Sequence, residues 1–360
     1  MHRKLGARMA PFGGFDMPIQ YEGIVAEHEA TRRRAALFDT CHMGEFILEG
    51  PDVVPDLEHV LTCSVGDLAI GKCRYGLMCD ENGGVLDDLV LYRLGKAKYL
   101  MVVNAGTQER DFEWVCTHVS NADRFRNISA HTGKVDLQGP ASPMIMEELM
   151  ADSIARMTFY SFVHNHYRDT QVLVSRTGYT GEVGFEVYGE PDLVLQFWCD
   201  AMELGAVPAG LGARDTLRLE MGMPLYGHEL SEDRNAGATG FQRPIARDKD
   251  FIGSPAVLDE ATDTERLVGI RLSGRRSARE SNRILDESGN DIGVVTSGSF
   301  APSVGAAVAL AYVRKAVSSP GTPVRVDTGR RQLDGQIAEL PFYRQGTARQ
   351  PLARFLERRE

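Results

Sequence analysis

Along the first 130 residues the apolar positions change period several times, and each change marks an element. Ile24 to Phe38 carries apolar residues at helical spacing, with Glu29 placed to pair with Arg32 and Arg33. Asp39 to Gly50, DTCHMGEFILEG, shifts to alternation and predicts a strand with His42 and Met43 at its start. Asn82-Gly83-Gly84 is a hairpin signal, so Val85 to Tyr92 leaves it as a strand. YLMVVN, ending in Asn104, predicts the next strand after a turn at Gly95-Lys96. Thr107 to Val119 returns to helical spacing, with Phe112, Val115, Cys116 and Val119 in one core stripe and Arg32-Arg33-Arg34, earlier, reading as a solvated face. Pro11 to Tyr21, PFGGFDMPIQY, concentrates Pro, Gly and aromatic residues and predicts a rigid, irregular loop.

A second unit begins near residue 130. DLQGP, from Asp136, is a strand end entering a turn, and Met144 to Leu149 starts a helix. In Ser175 to Gly189, three glycines make a tight turn into a strand with Glu182 and Glu186 on one face. Gly210 to Tyr226 predicts a Gly-rich turn and a helix presenting Arg214 and Arg218 on one side. From Arg266 the pattern becomes short strands separated by Gly, Ser and Asn turns, which predicts a small all-β barrel or sandwich. GRRSAR, ending in Arg279, sits in the loop that opens its second strand.

At 360 residues the chain is longer than one hydrophobic core usually serves, so two or three domains are expected. A formal charge of −10 argues against a general nucleic-acid or anionic-membrane binder. The six cysteines show no CxxC spacing, so neither a zinc site nor a disulfide framework is suggested; His164 and His166 lack an acidic or thiol partner in sequence reach, and no metal is expected. No run approaches the roughly 18 apolar residues of a membrane span, and the N-terminus lacks an apolar leader core; a cytoplasmic protein is the expectation.

The residues that fit this background worst are Asp87 and Asp88, set inside the apolar run VLDDLVLY. On a strand they point to opposite faces, Asp88 with Val90 and Tyr92, Asp87 with Leu89 and Leu91, so only one can enter a given cavity. A carboxylate in apolar company needs a partner or a raised pKa, which suits positioning or proton transfer on a ligand. The same pattern also fits one Asp capping the hairpin and the other solvated at a sheet edge. Glu186, between Phe185 and Val187, poses the same question, with a cross-sheet salt bridge as the plainer reading.

Taken together, PFGGFDMPIQY, LFDTCHMGEF, YGLMCDENGGVLDDLVLYR, VVNAG, LQGP, SRTGYTGEVGFEV, GLGARDTLRLEMGMPLYGHEL, KDFIG and VVTSGSFAPSVG resemble, in order, the aminomethyltransferase family, the T-proteins of glycine cleavage. The resemblance covers nearly the whole chain. It implies an α+β protein of three domains in a cloverleaf around a central folate-binding hole, with a C-terminal β-barrel of jelly-roll-like character. The segments expected are 1–128, 129–260 and 261–360, interleaved toward the N-terminus. It implies Asp88 as the catalytic carboxylate, Met43, Tyr75, Leu100, Val102, Asn104 and Glu186 in the pterin pocket, and Arg214 and Arg279 as further binding residues. Tetrahydrofolate would be the co-substrate and the lipoylated H-protein the partner that delivers the aminomethyl group. A folate-dependent demethylase of a small methyl donor would use largely the same pocket. A non-catalytic folate-binding module of the iron–sulfur repair type carries a Cys-containing motif where this chain has GMPLYGHEL.

Overall fold

The computed structural model describes residues 1–241, 243–259 and 264–357. The chain opens with a hairpin, β1 (Arg8–Phe12) and β2 (Phe15–Gln20). Gly13 and Gly14, at φ 54° and 85°, make its turn, so a segment whose composition predicts an irregular loop is instead two paired strands. Helix α1 (Ile24–Arg33) follows, then β3 (Ala36–Asp39), β4 (Gly44–Glu49), α2 (Val53–Val60), β5 (Cys73–Cys79), β6 (Val85–Gly95), β7 (Lys98–Val103), α3 (Gln108–His118) and β8 (Phe125–Asn127). The predicted helix to Phe38 therefore stops early. Ala36, Leu37 and Phe38 are all buried, and a strand between two neighbours covers both faces of such a run where a helix end could not.

The middle of the chain supplies β9 (Gly133–Gln138), α4 (Ser142–Leu149), β10 (Phe162–Tyr167), β11 (Thr170–Ser175), β12 (Gly184–Gly189), α5 (Pro191–Glu203), β13 (Val207–Ala209) and α6 (Leu211–Glu220). A short helix α7 (Ser254–Val257) precedes β14 (Glu265–Leu272), β15 (Arg283–Leu285), β16 (Asp291–Ala301), β17 (Ala306–Arg314), β18 (Pro323–Asp327), β19 (Gln332–Ala338) and a last turn of helix, α8 (Ala353–Leu356). The 260/261 boundary drawn from the sequence lies outside the described residues.

These elements form three sheets besides the hairpin. One has the order β5-β6-β7-β4-β8, a second β10-β11-β12-β9-β3-β13, and the third is a closed barrel β14-β17-β16-β15-β18-β19. Strand β3 precedes the first sheet in sequence yet joins the second, which threads the two together. Helices α2 and α3 cover the outer face of the first sheet through Leu57, Val60 and Val115. Helices α4 and α5 cover the second through Ile145, Met146, Phe197 and Trp198. The inner faces meet in an apolar seam of Ile47, Tyr92 and Leu100 against Phe162, Leu173 and Tyr188.

Ion pairs tie the units. Arg32, on the stretch predicted to be a solvated face, has a side chain only 6% exposed and donates to Glu182 at 3.0 Å and Glu220 at 2.8 Å, while Arg33 stays exposed near Glu29. After the barrel the chain returns to the second sheet, where Arg176 donates to the carbonyls of Ala348 and Gln350 and Leu352 enters the core. Among the described residues no helix is long and apolar enough to cross a membrane.

Candidate active site

Where the seam between the two sheets ends, the three units leave a central cavity of about 1000 Å³. Its wall takes residues from β5, β6 and β7, from β9 and β12, from α6, and from the barrel strand β16. Tyr75, Tyr160, Tyr179, Tyr188 and Tyr226 give it aromatic sides on which a flat ligand ring could rest.

Strand β6 delivers the acid. Asp88 faces the cavity together with Val90, and Asp87 points to the other face with Leu89 and Leu91, as strand alternation requires. Neither carboxyl is solvated at an edge. Asp88 Oδ2 accepts from the Tyr75 hydroxyl at 3.0 Å and Oδ1 from the Asn104 amide at 2.8 Å. Burial, and then the charge of Asp87, push its pKa up to about 7 against the pull of those two donors. A carboxyl poised there exchanges a proton near neutral pH and is held with one side toward the cavity.

Across the cavity, β12 and β9 carry a second polar wall. Glu186 Oε2 accepts from Tyr188 at 2.8 Å and Tyr92 at 3.2 Å, and Lys134 lies 3.5 Å from Oε1. Glu186 thus lines the cavity and also forms the cross-sheet pair. Lys134 is 1% exposed and donates to Asp136 at 2.9 Å, whose other oxygen takes Arg214 at 2.8 Å. Burial would raise the Asp136 carboxyl, but Lys134 and Arg214 hold it below the usual carboxylate range. Arg214 lies over the Tyr179 ring, 4.9 Å from its centre, and lines the cavity; Arg218 beside it is committed to Asp215, Glu229 and Ser297. Arg279 stands at the barrel side of the cavity, donating to the Gly298 carbonyl at 2.9 Å.

Met43, Tyr75, Asp88, Val102, Asn104, Glu186, Arg214 and Arg279 therefore meet at one cavity. Leu100 does not line it. It shares a strand face with Val102, but two residues back along β7 the second sheet has closed over the first, and Leu100 packs in the seam at 5% exposure. Lys134 escaped sequence reading, although the alternation of Lys134, Asp136 and Gln138 along β9 was a visible sign of a polar strand face. His42, placed by the sequence at the start of a strand, lines the cavity with Phe12 edge-on at 5.4 Å. Burial and the nearby Arg214 push its pKa down to about 4, so it is neutral.

A family model described as "GCVT N-terminal domain" matches residues 1–249, and one described as "Glycine cleavage T-protein C-terminal barrel domain" matches residues 265–344. Two interlocked sheets closed by a barrel around an acid-bearing cavity are thus those of a glycine-cleavage T-protein, a class of one-carbon group transferases. An aminomethyltransferase from Halothermothrix orenii is 41% identical over 349 residues, covering 95% of this chain and 98% of that protein. One from Thermotoga maritima is 39% identical over 355 residues, covering 97% of each. The crystal structure of glycine cleavage system aminomethyltransferase T from Bartonella henselae superposes with a TM-score of 0.89 at 31% identity, covering 96% of this chain and 97% of that one. The chain belongs to the aminomethyltransferase family, and it is an enzyme of that group-transfer class.

Proposed function

We propose that this enzyme transfers the one-carbon unit of an aminomethyl group, held on the dihydrolipoyl arm of the H-protein, to tetrahydrofolate, giving 5,10-methylenetetrahydrofolate and ammonia. The observation that carries this reading is the Asp88 carboxyl, held by Tyr75 and Asn104 on the wall of an aromatic cavity large enough for a pterin and its side arm. Tetrahydrofolate supplies the nucleophilic amines; the chain supplies their placement. Glu186 offers a carboxylate to the ring N–H donors, and its own hydroxyl partners leave it aimed at the cavity. Arg214 and Arg279 offer cations to the carboxylates at the ligand's other end. Asp88 accepts a hydrogen bond from the attacking amine, directs its lone pair at the aminomethyl carbon, and takes up the amine's proton as the first C–N bond forms and the amino group leaves as ammonia; the second folate amine then displaces the lipoyl sulfur, so that the two amine protons end on ammonia and on the freed thiol.

Asp88→Asn tests this directly. The amide keeps the volume and a hydrogen bond but cannot take the proton, so carrier-dependent turnover is expected to fall on the order of 10²–10⁴-fold while folate affinity stays within about threefold. Near wild-type turnover would remove Asp88 from the chemistry. Turnover with a small methyl donor and no lipoylated carrier would instead identify a demethylase.

A further inference from the structure

Behind Asp88 lies a second carboxyl group that the reaction does not touch, and behind that a third. Asp87 is 0% exposed. Its Oδ2 accepts from the Asn104 backbone N–H at 2.9 Å and from the Thr107 hydroxyl at 3.0 Å, and its Oδ1 from the Asn104 side-chain amide at 2.8 Å. The same amide nitrogen reaches Asp88 Oδ1 at 2.8 Å, so its two hydrogens serve the two carboxyls, one each. Asp111 on α3 is also 0% exposed and faces Asp87 within hydrogen-bond reach. Neither Asp111 oxygen receives a well-formed hydrogen bond, and its nearest cation, the Arg110 Nε, stands at 3.8 Å.

Two carboxyls in contact and out of water cannot both ionise, so the pair retains one proton. The donors decide where it sits. They converge on Asp87, which takes three, while Asp111 has at most a share of the Thr107 hydroxyl; these donors outweigh the deeper burial that pushes the Asp87 carboxyl up, and favour a neutral Asp111 donating to an ionised Asp87.

We propose that Asp87 and Asp111 are positioning residues for the reacting carboxyl: they share one proton, and the single charge left on Asp87 is tied through the Asn104 amide to Asp88, fixing both its orientation and its proton affinity. The proposal rests on Asp88 being the group that acts on the substrate. The other titratable groups facing this cluster are Tyr75 from β5, Tyr160 and Tyr179 from the second sheet's loops, and Tyr226 with Arg110 and Glu232 on the far side.

The experiment compares Asp87→Asn, Asp111→Asn and Asp111→Leu with the wild-type enzyme, measuring carrier-dependent turnover from pH 5.5 to 9 and folate affinity at each pH. Asp87→Asn removes the charge beside Asp88, so the acid limb of turnover moves to lower pH by about one unit, with affinity within threefold. Asp111→Asn keeps a donor toward Asp87 and leaves the limb where it is; Asp111→Leu removes the donor and lowers turnover at least tenfold. A merely structural role would change unfolding without moving the limb. An unmoved limb in folded Asp87→Asn, or wild-type turnover in Asp111→Leu, overturns the proposal. Should Asp87→Asn or Asp111→Leu fail to fold, infrared spectroscopy of ¹³C-aspartate-labelled protein at pH 9, where Asp88 is ionised, reads the shared proton as a buried carboxylic-acid band that Asp111→Asn abolishes; its absence from the wild type also overturns the proposal. If Asp88→Asn itself retains turnover, the functional reading fails, whereas the infrared band still tests the shared proton separately.

Discussion

Replacing Glu45 by Gln should stabilise this enzyme, and increasingly so as the pH rises. Glu45 lies on β4, 0% exposed, with no hydrogen-bond partner for either carboxyl oxygen among the described residues. Burial, reinforced by Glu186 and opposed by Lys134, pushes its pKa up to about 8 from the ordinary glutamate value of 4.5. A group whose folded pKa is raised binds its proton more tightly in the fold, so its contribution is complete below the unfolded pKa and is lost as the pH climbs toward the folded one. Over that window the unfolded chain ionises Glu45 freely while the fold resists. Integrating between the two values gives a penalty of about 1 kcal/mol at pH 5.5 and about 4 kcal/mol at pH 8, a difference of about 3 kcal/mol. Glutamine carries no such term. Urea unfolding of both proteins at the two pH values reads the effect as a double difference, which cancels every other titrating group. With a slope of about 3 kcal/mol/M, the gap between the midpoints should widen by about 1 M from pH 5.5 to pH 8. Parallel midpoints at both pH values, or a glutamine variant that loses ground at pH 8, would refute the reasoning.

Lys134→Met would leave Asp136 with Arg214 alone and Glu186 with only its hydroxyl donors, so stability at pH 7.5 should fall by about 3–5 kcal/mol, with part of the loss recovered near pH 4.5 where the stranded carboxylates take up protons; an unchanged denaturation midpoint would exclude a net role for the pair. Leu352→Ala opens a hole in the second sheet's core where the C-terminal segment returns, at a cost of about 2–4 kcal/mol in chemical denaturation, and a loss below about 0.5 kcal/mol would mean that the segment merely rests on the surface.

The sequence by itself determined most of the elements and the opposition of Asp87 and Asp88 across one strand. The turn at Asn82-Gly83-Gly84 and the alternation after it put Asp87 and Asp88 on opposite faces of β6, because strand geometry leaves no choice once the register is set; the resemblance picked Asp88, and the tertiary structure turns its face to the cavity. The nine ordered motifs carried the family, and the turn spacing after Arg266 carried the barrel. Periodicity was silent on depth. Leu100 and Val102 share one strand face, yet only the closing of the second sheet decides that the first is sealed in the seam and the second borders the cavity. It was equally silent on partners. Arg32 looked solvated because its carboxylates, Glu182 and Glu220, lie 150 and 188 residues away, and Lys134 looked ordinary until β12 brought Glu186 beside it. A buried charge is identified by what neutralises it, and in this chain that is settled only when sheets built from distant segments close against each other.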